Sequence, residues 1–135
     1  MRAVLDANVL ISALVSQDAA PSKILQRWLH GAFELIVSPH LLSEVERVLA
    51  YPKLLARVDS TEAEEFVDLL RRTAVLMADA AATPRSTDAA DDYLISLAEA
   101  SRAVLVSGDT HVLALADLFP IETPAEFLRR LQSQE

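Results

Sequence analysis

The chain has 135 residues, of which 52% are hydrophobic and none is cysteine. This length is typical of one domain, so residues 1–135 are expected to form a single domain with a sizeable aliphatic core. The lack of cysteine excludes disulfides, a thiolate nucleophile and cysteine-ligated zinc. A charge comes too early in Met1–Asp6 for a secretory signal, and no apolar run reaches membrane-spanning length, so a soluble cytoplasmic protein is expected.

The formal net charge is −8. Taken alone, this charge argues against nucleic-acid binding, which usually leaves a basic footprint. An acidic total is equally compatible with a carboxylate cluster that divalent cations neutralise, because Mg²⁺ and Mn²⁺ prefer oxygen ligands. The charge therefore leaves both interpretations open.

Glycine occurs only at Gly31 and Gly108, which excludes a glycine-rich phosphate loop.

Patterns typical of strands and helices alternate along the chain. The predicted strands cover about residues 2–5, 33–37, 103–107 and 120–122. The predicted helices cover about residues 9–15, a segment after 21, 38–50, 61–76, 88–101, a short segment from 109, and a last one from 123. Thr61 and Glu64 are spaced as a capping box. This alternation predicts an α/β fold with a mainly parallel sheet and helices on both faces.

Two aspartates directly follow predicted strands. Asp6 follows the first strand, and Asp109 follows the strand at residues 103–107. In parallel sheets, ligands bind beyond the carboxyl ends of the strands, so both acids are predicted to lie in such a crevice. Each also precedes a helix, so N-capping stays open as an alternative. Asn8 is a candidate to orient Asp6, to bind a metal's water, or to be the cap itself.

Helical phase separates the adjacent acids Asp91 and Asp92. Asp91 shares a face with the apolar residues at i+3, i+4 and i+7, whereas Asp92 falls on the polar face with Ser96 and Glu99. A carboxylate on a packed face is costly unless it is paired or binds a cation. Asp91 is therefore predicted to be functional and Asp92 to be solvated. The alternative is that Asp91 forms a capping box with Asp88.

Glu44 and Glu46 flank the inward face of the third predicted helix at similar angles on opposite sides. Phase does not choose between them. Acids at two strand ends and on one packed face together indicate a divalent-metal site that hydrolyses a phosphoester with metal-activated water. Carboxylates alone favour Mg²⁺ or Mn²⁺ over zinc.

Other acidic-site proteins fit less well. A haloacid-dehalogenase-like phosphatase needs a second aspartate where this chain has Asn8. A receiver domain needs a lysine after a later strand, and the only lysines are Lys23 and Lys53. A non-catalytic scaffold that acts through protein contacts remains an alternative.

Four motifs occur in order along the chain: Asp6–Ser12, Ser38–Glu44, Asp88–Asp92 and Val104–Asp109. This ordered set resembles the PIN domain, and more specifically the bacterial toxin components of toxin–antitoxin systems related to VapC-type toxins. The resemblance covers nearly the whole chain. It implies a three-layer α/β/α sandwich around a parallel sheet and Mg²⁺- or Mn²⁺-dependent endoribonuclease activity.

The resemblance also implies an acidic quartet that holds one or two ions and performs catalysis: Asp6, Glu44, Asp91 and Asp109. It selects Glu44 where phase does not. Asn8 and Ser107 take supporting positions, although Ser107 stands where threonine is usual and Ala7 where a hydroxyl residue is common.

The partners implied by the resemblance are RNA, an antitoxin protein and a second copy of the chain, with no membrane. The candidates for contact with RNA are Ser12, Lys23, Arg27, Arg85 and His111. Lys23 and Arg27 lie one helical turn apart, so a solvated helix face remains the alternative for that pair.

Overall fold

Strands and helices alternate through residues 1–79 and 91–134, which are the residues that the computed structural model describes. The strands are β1 (Arg2–Leu5), β2 (Glu34–Val37), β3 (Val75–Leu76), β4 (Val104–Val106) and β5 (Ile121–Glu122). The helices are α1 (Ala7–Val15), α2 (Ala20–Leu29), α3 (Pro39–Leu49), α4 (Pro52–Leu55), α5 (Ser60–Thr73), α6 (Asp92–Ser101), α7 (Thr110–Leu113) and α8 (Pro124–Ser133). Within these residues, no helix has the length and apolarity that a membrane span requires.

The five strands form one parallel sheet in the order β3-β2-β1-β4-β5. The chain leaves the central strand β1 toward β2 and β3, and then returns to the other side of β1 to form β4 and β5. The strand order therefore reverses between β1 and β4. In open α/β sheets this switch point is where a crevice forms at the carboxyl ends of the strands.

The core consists of the central strands and the helices that cover them. The β1 residues Ala3, Val4 and Leu5 have no exposed surface, as expected for a parallel strand that is covered on both faces. α6 packs against β1 and β4. Because crossover connections are right-handed, the helices before β2 and β3 and the helix before β4 fall on opposite faces of the sheet. The predicted α/β/α sandwich with a parallel sheet is confirmed.

The predicted capping box at Thr61 and Glu64 is wrong. α5 begins at Ser60, and its N-cap is Asp59, whose Oδ1 accepts a hydrogen bond from the backbone N–H of Glu62 at 2.8 Å. Aspartate is as good an N-cap as threonine. The spacing of Thr61 and Glu64 therefore could not show which residue caps the helix.

The predicted helix over residues 61–76 is too long at its carboxyl end. α5 ends at Thr73, and Val75 and Leu76 instead form β3. Val75 pairs with Ile36 of β2, and Leu76 pairs with Val37. The open edge of β2 therefore decides the conformation of this segment, as tertiary contacts often do for short apolar runs. The short helix α4 was not predicted. The predicted start of α6 at Asp88 lies outside the described residues.

We expect Phe127→Ala in α8 to reduce the free energy of unfolding by about 3–5 kcal/mol. The Phe127 side chain has no exposed surface and meets Phe33 edge to face, with ring centroids 5.2 Å apart. Truncation would leave a cavity between α8 and the entry to β2. Urea denaturation measures the change. The exposed Gln132→Ala in the same helix should stay within about 0.5 kcal/mol of the wild type. Equal losses in both variants would contradict this account of the core.

Candidate functional site

Asp6 and Asp109 lie beyond the carboxyl ends of the two strands that border the switch point. Asp6 directly follows β1, and its backbone N–H donates to the carbonyl oxygen of Val106 in β4 at 3.1 Å. Asp109 follows β4 after Ser107 and Gly108. The two acids therefore occupy the crevice that the sheet topology creates.

Ser107 connects the two aspartates. Its side chain is fully buried, and its hydroxyl donates a hydrogen bond to Oδ2 of Asp6. The same hydroxyl oxygen accepts from the backbone N–H of Asp109 at 3.0 Å. Oδ1 of Asp6 accepts from the backbone N–H of Val9 at 2.8 Å. Ser107 thus orients the side chain of one acid and the backbone of the other.

Both aspartates are helix caps, so the capping alternative is confirmed for each. Asp6 caps α1 through its bond with Val9. Oδ1 of Asp109 caps α7 by accepting from the backbone N–H groups of His111, at 2.7 Å, and Val112, at 3.4 Å. Asn8 is not the cap, and its side chain is exposed. Each capping bond uses one carboxylate oxygen, so capping leaves the second oxygen for other interactions.

The Asp6 carboxyl is 5% exposed, and this burial raises its pKa above the ordinary value. The negative charge of Asp109 raises the pKa further, while the hydrogen bonds from Ser107 and Val9 lower it. Burial has the largest effect. A cation between Asp6 and Asp109 would offset both the burial and the like charge.

Glu44 and Glu46 face different surroundings. Arg47 donates to both oxygens of Glu44, from Nη2 at 2.8 Å and from Nε at 3.3 Å. This guanidinium lowers the pKa of the Glu44 carboxyl, and the charge of His40 makes a further, smaller contribution in the same direction. Glu46 instead accepts from Nη2 of Arg71 in α5 at 2.8 Å. It lines a cleft of about 590 Å³ between α3, α4 and α5, which none of the four candidate acids lines.

The prediction that Asp92 is solvated is wrong. Asp92 is 3% exposed, whereas Asp91 is half-buried. α6 begins at Asp92, so Asp91 lies in the turn before the helix and does not follow its phase. α6 also buries every residue from Leu94 to Ala98, so the polar face is covered near Asp92 and Ser96, while Glu99 farther along the same face is exposed. Asp88, the alternative capping partner, lies outside the described residues.

Tyr93 and His40 border the candidate acids, although the sequence analysis singled out neither as a site residue. Burial raises the pKa of the Tyr93 hydroxyl, and the charges of Glu44, Asp6 and Asp91 raise it further. The Tyr93 ring is stacked on His40, with centroids 3.7 Å apart and planes 7° from parallel. One signal was available, because His40 and Glu44 are four residues apart on α3 and such residues share a helix face.

The donor chemistry of these residues fits Mg²⁺ or Mn²⁺. Within the described residues, no three histidine or acidic side chains lie close enough together to hold a metal ion. Mg²⁺ commonly keeps several waters and is bound through one or two carboxylates, so the pair of Asp6 and Asp109 meets that requirement. The repulsion between these two acids, which a cation would remove, supports the same fit. The four-acid ligand set remains a prediction.

The other predicted residues lie on α1, α2 and α7. Ser12 is half-buried on α1, Lys23 is exposed and Arg27 half-buried on α2, and His111 is exposed on α7. Arg85 lies outside the described residues. Contact with RNA stays a prediction for all of them.

Comparison with known proteins identifies a family and a shared fold. A family model described as PIN domain matches residues 2–111. The uncharacterized protein MJ1680 from Methanocaldococcus jannaschii is 25% identical over 147 residues, which span 98% of this chain and 92% of that protein.

Solved structures with this fold include VapBC2 from Rickettsia felis bound to a DNA fragment from their promoter, with 13% identity and a TM-score of 0.63 over 91% of this chain and 98% of that one. PAE2754 from Pyrobaculum aerophilum has 18% identity and a TM-score of 0.65 over 98% of this chain and 90% of that one. FitAcB from Neisseria gonorrhoeae has 16% identity and a TM-score of 0.58 over 91% and 98%. At these identities the structures show a common fold.

We expect Asp6→Asn to make the metal-free protein more stable at neutral pH. Asparagine caps a helix as well as aspartate does, but it carries no buried charge. Because folding raises the pKa of Asp6, the stability that its protonated form contributes is present below the unfolded-state pKa and is lost as pH rises through the folded-state pKa.

Urea denaturation in a chelator tests this expectation between about pH 4 and pH 7. The advantage of Asp6→Asn over the wild type should grow with pH across that range. The exposed Asp18→Asn is the matched control and should show no such trend. A difference between Asp6→Asn and wild type that does not change with pH would contradict the effect of burial on Asp6.

Proposed function

We propose that this chain, which belongs to the PIN domain family, is a Mg²⁺- or Mn²⁺-dependent endoribonuclease and the toxin of a type II toxin–antitoxin system. The observation that carries the proposal is the pairing of Asp6 and Asp109 at the switch point of the sheet, joined through Ser107. The charges of Glu44, Asp6 and Asp91 all act on Tyr93, which supports including Glu44 and Asp91 in the same site.

In this proposal, Asp6, Asp91 and Asp109 hold one or two divalent ions, and Glu44 contributes directly or through water. When bound, such ions supply an activated water and offset negative charge on the phosphate oxygens. Ser107 and the backbone N–H of Val9 keep the Asp6 carboxylate in one orientation. Phosphodiester hydrolysis then requires no side-chain nucleophile.

The ion pair between Glu44 and Arg47 is compatible with this role for Glu44. The side chains of Arg47 and Glu44 are 54% and 32% exposed, and a pair that exposed contributes about 0–1 kcal/mol. Rotation of Glu44 toward a cation is therefore inexpensive. The guanidinium also keeps Glu44 ionised, which a metal ligand requires.

RNA must approach a chain of net charge −8, so the bound cations have to offset repulsion between the acids and the phosphates. Ser12, Lys23, Arg27, Arg85 and His111 are the proposed contacts with RNA. Lys23 and Arg27 on α2 place two positive charges one turn apart.

The alternative function is favoured by one observation, which is that Asp6 and Asp109 both form helix caps. Acids that cap helices can be retained for folding alone. A non-catalytic scaffold that acts through protein contacts would explain the described residues without any cation.

The proposed assembly partners rest on the resemblance to VapC-type toxins and on the fold. VapBC2 and FitAcB share this fold along 91% of the chain. We propose that an antitoxin protein binds this chain, and that the chain forms a homodimer. Sedimentation equilibrium at a single chain mass of 14.7 kDa would contradict the dimer.

Cleavage of RNA with Mn²⁺ should fall by about 100-fold or more in Asp6→Asn and Asp91→Asn. That factor corresponds to about 3 kcal/mol of lost charge stabilisation. Gel analysis of labelled single-stranded RNA measures cleavage, and Mn²⁺-induced change in the thermal unfolding midpoint measures cation binding. The exposed Asp18→Asn is the control and should behave as the wild type.

Two outcomes separate the candidate functions. Cleavage that survives in both Asp6→Asn and Asp91→Asn would remove the catalytic assignment. A wild-type protein that neither cleaves RNA nor gains stability from Mn²⁺ would favour the scaffold.

Induced expression of the wild type without an antitoxin should arrest growth of a bacterial host, because cleavage of cellular RNA stops protein synthesis. Asp6→Asn at the same expression level should allow growth, whereas Asp18→Asn should not. Growth curves measure the arrest, and immunoblots measure the expression level of each variant. Equal arrest by wild type and Asp6→Asn would show that toxicity does not depend on the acidic site.

A further inference from the structure

The exposed His40 ring forms a parallel stack with Tyr93 at the edge of the acidic site. The centroids are 3.7 Å apart, and the planes differ by 7°. His40 is exposed while Tyr93 is half-buried. One face of the His40 ring lies on Tyr93, so among the described residues the opposite face is the side of this exposed residue that can meet a ligand. The pair is a two-ring stack with one open end.

The backbone segments that carry both rings are anchored. His40 is in the first turn of α3, where Ser38 caps the helix by accepting from the backbone N–H of Leu41 at 3.2 Å. The backbone N–H of His40 donates to Oδ2 of Asp79 at 2.9 Å. Tyr93 is in the first turn of α6, which packs on β1 and β4. The His40 ring is therefore carried by an anchored backbone, and its stacking on Tyr93 gives it one orientation.

The stack borders the acids that the proposed function uses. The charge of His40 acts on Glu44, and the charges of Glu44, Asp6 and Asp91 act on Tyr93. His40 lies one helical turn before Glu44 on α3, and Tyr93 is two residues after Asp91, so a base next to a phosphate held at these acids would lie on the side of the rings. None of the roles assigned to the four acids requires either aromatic ring.

A nucleobase is the ligand that suits an open aromatic stack in an acidic protein. Every base has a flat π-face, and stacking on an aromatic side chain strengthens binding by about 5- to 100-fold per base without any cationic group. The chain has few positive charges to attract phosphates, with 12 lysines and arginines against 20 acidic residues. Stacking would supply affinity that electrostatics does not.

We propose that the open face of His40, supported by Tyr93, stacks a nucleobase of single-stranded RNA beside the phosphate that the acidic site cleaves. His40 is then a positioning residue for the substrate. This inference rests on the proposed ribonuclease function and adds to it a preference for unpaired RNA, since a base inside a duplex has no free face to offer.

The first experiment compares His40→Ala, which removes the ring, with His40→Phe, which retains an aromatic face. The probe is a series of single-stranded RNAs, each with one fluorescent 2-aminopurine at a different position. Binding is measured with Ca²⁺ in place of Mn²⁺, and a gel checks that the RNA stays intact. The wild type should quench the fluorescence at one position, His40→Phe should do the same, and His40→Ala should not. Affinity and kcat/KM should fall by about 5- to 100-fold in His40→Ala. The exposed His30→Ala is the control and should match the wild type.

The second experiment removes the base instead of the ring. An abasic nucleotide at the quenched position should weaken wild-type binding as much as His40→Ala does, and should not weaken His40→Ala further. Such non-additivity is expected only where ring and base contact each other. If the losses of binding free energy from the abasic nucleotide and from His40→Ala simply add, the stacking role is overturned.

The outcomes separate this inference from the proposed function. Mn²⁺-dependent cleavage with full activity in His40→Ala would overturn the stacking role and leave the ribonuclease in place. Quenching that depends on His40, without cleavage by the wild type, would overturn the ribonuclease and leave an RNA-binding site. A wild type that neither binds nor cleaves the RNA would overturn both.

Discussion

The burial of the Asp6 carboxylate at the junction of β1 and β4 is the constraint on which the candidate site depends. A carboxylate that is 5% exposed is stable only if hydrogen bonds replace its hydration. The backbone N–H of Val9 and the hydroxyl of Ser107 do so, one from each side of the switch point. Because Ser107 also accepts from the backbone N–H of Asp109, the position of the second acid is coupled to the first.

The capping of two helices and the formation of an acidic crevice are consequences of the same geometry. Asp6 and Asp109 each end the loop after a strand and begin a helix, so their carboxylates accept from helix N-terminal N–H groups. The positive end of a helix dipole lowers the cost of placing negative charge there. It does not remove the mutual repulsion, which still raises the pKa of Asp6. The two helix caps and the repulsion between the two acids therefore have the same geometric origin.

Much of the fold follows from local patterns, because buried apolar strands and capped amphipathic helices carry strong period signals. The patterns predicted β1, β2, β4, β5 and the described helices except α4. They failed where local signals were weak. Val75 and Leu76 continue the apolar pattern of α5 but become a strand, since the edge of β2 offers hydrogen bonds that a frayed helix end lacks. Asp92 fell on the polar face of α6 by phase and is buried, because the protein covers the start of that face, although Glu99 farther along it is exposed.

The sequence alone determined the parallel α/β class and the placement of Asp6 and Asp109 at strand ends, because both depend on the order of residues along the chain. The choice of Glu44 came from family resemblance. Only the tertiary structure showed the link through Ser107, the pairing of Glu44 with Arg47 and of Glu46 with Arg71, and the His40–Tyr93 stack. Most of these contacts join segments that are far apart in the chain. Their distances are decided by how the helices pack on the sheet, which no local pattern encodes.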